Sequence, residues 1–222
     1  MSPNNEHSSF QPLWLVLYSI ILLEGYVSIS TEILTLRQLI AFVGSSIIVT
    51  STIIGIFLLF LAAGYQRGSR IQSNYPWILR RNFTISALWL GIGLSYPFVA
   101  LFFEILLSWF GSNTLITLII YLLLITAPLV YLLGYTLPIT MNLFKQNQSA
   151  GHIGGRALSI STIGSFLGAI FTSLILLHYL GVAWAISIAA TLLLLMALSL
   201  CRQRSSLWLQ LTLTIIALYF IY

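Results

Sequence analysis

The chain has 222 residues, of which 59% are hydrophobic and only 6% charged, and its mean hydropathy is +1.02. Soluble domains run at about 45–50% apolar and 25% charged residues. Nine Lys/Arg and four acidic residues, all glutamate, cannot clothe a water-facing surface, so a soluble enzyme and a disordered chain are both excluded. A net charge of +5 is too small and too scattered for a nucleic-acid surface; it suits basic loops lying against anionic lipid headgroups.

A single cysteine, Cys201, rules out intrachain disulfides and thiolate zinc sites, and His7, His152 and His178 are far apart with no carboxylate at metal-binding spacing. No metal site, cofactor pattern or catalytic set is expected. In chain order, residues 1–12 read as a cytoplasmic tail, followed by apolar stretches at Leu13–Arg37, Leu39–Tyr65, Phe83–Phe110, Thr114–Met141, Ala157–Leu180, Val182–Cys201 and Leu207–Tyr222. Each approaches the ~20 residues that cross a bilayer, except the last, whose ~16 residues span only ~24 Å. The expected fold is all-α, a polytopic bundle of about seven helices in the lipid bilayer.

Arg67, Arg70, Arg80 and Arg81 fall between the second and third spans, Lys145 and Arg156 between the fourth and fifth, and Arg202 and Arg204 between the sixth and seventh. These loops share one face, with Arg37 alone near the other, so the positive-inside rule predicts a cytoplasmic N-terminus in an integral membrane protein, as in a bacterial inner membrane. The first span carries Glu24 and lacks a basic lead-in, so it reads as an uncleaved helix rather than a signal peptide. Asn82-Phe83-Thr84 and Asn147-Gln148-Ser149 match the glycosylation triplet, but on this topology both face the cytoplasm, and the match is read as chance.

Within the first span, Glu24, Ser28, Thr31, Glu32 and Thr35 fall within an arc of about 100° at 100° per residue. Intramembrane acids are costly, on the order of 2.5–3.5 kcal/mol at a helix centre, and mark substrate or proton paths by default. Glu24, Ser28, Thr31, Glu32, Thr35 and Arg37 are therefore the candidate path. Glu32 and Arg37 lie about 140° apart around a continuous helix and pair only if that helix breaks. Glu104 reads equally as a partly hydrated end residue or as a further functional intramembrane acid, His178 reads as interfacial, and Gly91-Ile92-Gly93 as packing or flexibility rather than a phosphate loop.

Pro97, Pro128 and Pro138 predict kinks in the third and fourth spans. In the fifth, Gly164, Ser165, Gly168 and Ala169, with small residues at Ala157, Ser161 and Ser173 in four-residue steps, predict close helix packing, an interior seam being favoured over a homo-oligomer face. Leu22-Leu23-Glu24-Gly25-Tyr26 echoes Leu132-Leu133-Gly134-Tyr135, and Gly44-Ser45 echoes Gly164-Ser165. These echoes suggest a three-plus-three inverted repeat followed by one further helix.

The stretch from Gly25 to Arg70, with Glu32, Arg37, Gly44-Ser45 and Gly64, resembles the opening of the membrane-bound spermidine synthase-like proteins, which fuse a transporter-like region to a synthase. Gly134-Tyr135-Thr136-Leu137-Pro138 is similar to their G-x-T-x-P segment, and Gly151–Arg156 through Gly164–Ala169 to Leu180-Gly181 is similar to their segment after the cytoplasmic loop. The aspartates and nucleotide-binding loop of the family's synthase domain have no counterpart here, so the resemblance does not carry enzyme activity to this chain. It implies instead a membrane module that anchors, or exchanges a small substrate with, a separate spermidine synthase-like partner. A stand-alone transporter is the alternative, since Gly64–Arg70 looks like a degraded Gly/Arg loop of major facilitator transporters without its acid. A membrane assembly factor is the third.

Overall fold

The computed structural model of the chain describes residues 14–110, 113–143 and 150–200. The N-terminal tail, Lys145, the second glycosylation triplet, Cys201 and the short last span lie outside the described residues.

The described residues are helical, with connections of a few residues. The first rod is α1 (Trp14–Val43) and the second α2 (Ile47–Ser69), joined through Gly44 at φ +75° and capped by Ser46, whose Oγ accepts from the Val49 N–H at 3.2 Å. The third combines α3 (Tyr75–Gly93) and α4 (Tyr96–Trp109); the fourth α5 (Thr114–Tyr121), a π-helical segment (Leu122–Thr126), α6 (Ala127–Gly134) and α7 (Thr136–Leu143). The fifth rod is α8 (Ala150–Ile170) continuing as a second π segment (Phe171–Leu180), and the sixth is α9 (Gly181–Ser199).

Among the described residues, four stretches are long and apolar enough to cross a membrane, and the α3–α4 pair passes the same test together, as a broken span or a re-entrant loop. Among the four, Gly151–Ser199 is interrupted at Gly181 (φ +82°, ψ 177°), which reverses the chain so that α9 packs on α1 and α3. The protein is an integral membrane protein. Its outer surface is apolar, with Leu58, Leu59, Leu101, Phe166 and Leu174 exposed, while Glu24, Thr31, Asn82, Ser86 and Thr136 are buried.

Two sequence expectations change. Pro97 does not kink a continuous third helix. The helix ends at Gly93, the chain bends by 65°, and Pro97 sits in the first turn of a new helix, where its missing N–H costs nothing. Pro128 likewise falls in the first turn of α6, after a π segment in which the Ala127 N–H reaches back to the Leu122 carbonyl. The second change concerns α1, which runs unbroken past Arg37 to Val43, so Glu32 and Arg37 remain on different sides of one helix.

Three pairings dominate the packing: α1 with α8, α2 with α6 and α7, and α3 with α9. Leu22 meets Gly164, Tyr26 meets Gly168 and Ser30 bonds Thr172, so α1 and α8 run parallel. Leu61 and Gly64 meet Gly134 while Gly68 meets Tyr135 and Pro138, so the second and fourth rods also run parallel. An inverted repeat of rods one to three onto four to six exchanges the first of these pairs with the second and maps the third onto itself. The heaviest contacts follow that pattern.

Candidate functional site

The site is built at the α1–α8 crossing. Glycine and serine there let two backbones approach: a Cβ on Gly25 would run into the Ser161 carbonyl, one on Gly164 into the Leu22 carbonyl, and one on Gly168 into Tyr26 and Ile29. Close approach of this kind replaces the hydrophobic drive that lipid does not supply. Two cross-links reinforce it. Ser165 Oγ donates to the Gly25 carbonyl at 3.2 Å, and the Ser30 and Thr172 hydroxyls are 2.7 Å apart.

Glu24 sits within this crossing, 1% exposed, and its Oε2 accepts a hydrogen bond from Ser161 Oγ at 3.0 Å. Ten residues from the start of α1, it lies about 15 Å along the helix. The Tyr65 ring of α2 packs on the apolar cluster of Leu17, Ile21, Leu137, Ile153 and Ala157, in which Ile21 is one turn before Glu24 on α1. The surroundings thus give Glu24 one hydroxyl donor and an apolar floor. In its neutral form the group fits this setting; ionised, it calls for a cation at the same place.

Ser28, Thr31 and Thr35 are buried on the same side of α1 as Glu24. The two threonine hydroxyls donate to their own helix, Thr31 to the Val27 carbonyl at 2.8 Å and Thr35 to the Thr31 carbonyl at 2.7 Å. They therefore present lone pairs to the bundle interior. Glu32 is half-buried and Arg37 exposed, so these two stand apart from Glu24. Of the packing residues, Gly164 and Gly168 are buried against α1, Ser165 bridges to it, and Ala169 is half-buried beside them.

Ser161 and Tyr65 are the site residues that the reading of the polar arc overlooks. The four-residue row of small residues already contains Ser161, but nothing local links it to an acid 137 residues away. Glu104 is exposed on α4, and His178 stacks edge-on against Tyr179 at 4.7 Å on the surface. Among the described residues, no three His, Cys, Asp or Glu side chains gather at one place. No family model, curated protein or solved structure matches the chain.

Proposed function

We propose that the chain is the membrane module of a spermidine synthase-like system, exchanging a small cationic or amphipathic substrate with a separately encoded synthase-like partner, and that Glu24 is the group that meets the cation or its proton. The observation that carries this reading is a carboxyl 1% exposed at a membrane helix crossing, held by one serine hydroxyl. A positively charged amine supplies what an ionised carboxyl at that depth needs, and a proton supplies it in the amine's absence. Further support comes from the residues of the family resemblance. Gly64, Gly134, Gly164 and Gly168 make the closest helix crossings, and Gly44 makes the turn between α1 and α2. In this reading the N-terminus lies on the cytoplasmic side of a bacterial inner membrane, with the basic loops beside a soluble partner.

A stand-alone transporter is the second reading, favoured by the exchange-symmetric helix pairing, which suits alternating access. Two experiments test these readings and separate them. Glu24→Gln keeps the shape and the Ser161 contact but cannot ionise, so the variant should accumulate normally while exchange of labelled polyamine across native membrane vesicles is lost. Full exchange in the variant would remove Glu24 from any path. Affinity purification of the wild type from the same membranes should bring down a synthase-like protein; transport without such a partner moves the assignment to the transporter.

A further inference from the structure

The interior holds a second polar locus, away from Glu24. Asn82 is 1% exposed, Ser86 and Thr136 are fully buried, and both amide atoms of Asn82 and the two hydroxyl oxygens make no hydrogen bond with any protein group. A buried polar atom left in this state costs about 1–3 kcal/mol, more in a membrane interior, where no bulk water compensates. Thr126 Oγ1, nearer the other end of the fourth rod, is in the same state; the four atoms of Asn82, Ser86 and Thr136, on facing helices, call for a partner of their own.

Helix geometry brings these residues together. Asn82 and Ser86 share a stripe of α3 with Trp89 and Gly93, seven residues further on from each. That stripe faces the fourth rod, because Trp89 Nε1 donates to the Ile125 carbonyl at 2.9 Å and Tyr121 Oη to the Gly93 carbonyl at 2.7 Å. Leu133 and Ile139, three residues to either side of Thr136, pack in the same buried cluster as Leu79 and Phe83, which flank Asn82. Nearer the other end of the two helices, Asn142 Nδ2 donates to the Ile71 carbonyl at 3.4 Å, which fixes them as antiparallel.

Asn82 is seven residues after Tyr75 and Thr136 seven before Leu143, so both lie about 10 Å in from that end. Side chains lean toward the N-terminus of their own helix. On antiparallel neighbours Asn82 leans toward that end and Thr136 away from it, toward the level of Ser86, about one turn further along α3.

The donor set selects the occupant. The Asn82 amide offers two N–H donors and an acceptor, and each hydroxyl offers both functions. A bare cation would satisfy the oxygens and strand Nδ2, whereas a neutral molecule that both donates and accepts satisfies all four atoms. We infer that Asn82, Ser86 and Thr136 form a buried pocket that binds internal water between α3 and α7. The assignment also explains why the Asn82-Phe83-Thr84 triplet is no glycan acceptor: its asparagine faces the bundle core.

X-ray radiolytic footprinting of the full chain in detergent tests this, because radicals formed from bound water oxidise the side chains around it. Peptides covering 82–86 and 133–136 should be oxidised, and the apolar stretch of α9 around Leu193 and Leu194 spared. Sparing of both pocket peptides at doses that modify exposed Trp77 would overturn the proposal. Ser86→Ala should reduce the labelling of 82–86, and undiminished labelling would also count against the site. Asn82→Leu gives a sign test: loss of bonded water lowers the melting temperature, whereas relief of dry, unsatisfied atoms raises it and overturns the proposal. Protection of the pocket by Na+ or K+, with choline as the control, would overturn the choice of a neutral occupant.

Discussion

At Gly168 the distance from a missing Cβ to Ile29 Cγ2 would be 2.6 Å, and the Tyr26 backbone stands equally close. Gly55, on the second helix, has open space around its Cβ position. The two glycines therefore answer the same substitution differently. Gly168→Leu must push α8 off α1 and should cost at least about 1–3 kcal/mol, the usual penalty of overpacking, read as a fall in melting temperature and in monodisperse yield in detergent. Gly55→Leu should leave both close to wild type. Equal behaviour of the two variants would mean that the α1–α8 contact does not depend on close backbone approach. The same contact bounds what single residues disclose. The row of small residues marks Gly168 as a packing residue without any structure, because bilayer helices approach only where side chains are small. Nothing at Ser161 marks it as the partner of Glu24, since that depends on α1 and α8 lying parallel with their turns in register.

Helix existence was legible in the sequence because apolar runs near 20 residues have few other meanings. The way each helix begins and ends was not. Proline reads equally as a kink within a helix or as the first turn of a new one, and at Pro97 only the 65° bend decides between them. The orphaned Asn82 was illegible for a related reason: on α3 alone it is one polar residue beside two arginines, and its isolation arises only where the fourth rod covers it. Gly181 is the clearest case of a residue on which an element depends. Its backbone, at φ +82° and ψ 177°, occupies a region that essentially only glycine enters, and residues held there otherwise cost about 1–3 kcal/mol. Gly181→Val should therefore loosen the reversal between the fifth and sixth rods, giving faster proteolysis at that turn and a lower melting temperature. Unchanged protease resistance would show that helix packing alone holds the reversal.

For the whole molecule, the last turn of α2, its connection to α3, the first turns of α3 and the start of α8 carry Arg67, Arg70, Arg80, Arg81 and Arg156. The proposed orientation puts this face in the cytoplasm. A cysteine placed at Ser73, with Cys201 replaced by serine, should resist an impermeant thiol reagent added to intact cells and react once the membrane is opened. A cysteine at Asn113, near the opposite end of the fourth rod, should react from outside. The reverse pattern would invert the topology and place the basic face outside.

The pairing of the rods bears also on the order in which the protein can be made. The three dominant contacts all join an early rod to a late one, while α1 and α2 touch each other only lightly. No early group of helices is then a stable unit by itself, and Glu24 emerges 137 residues before the serine that bonds it. At about 5–20 residues per second that interval is roughly 7–27 s. Throughout it the first helix carries two acids, five serine or threonine hydroxyls and a notch cut for a partner not yet synthesised. A nascent chain in that condition depends on the insertion machinery or on a chaperone to keep its polar side out of lipid, and assembly becomes a single late event, triggered when the fifth rod arrives and fills the notch.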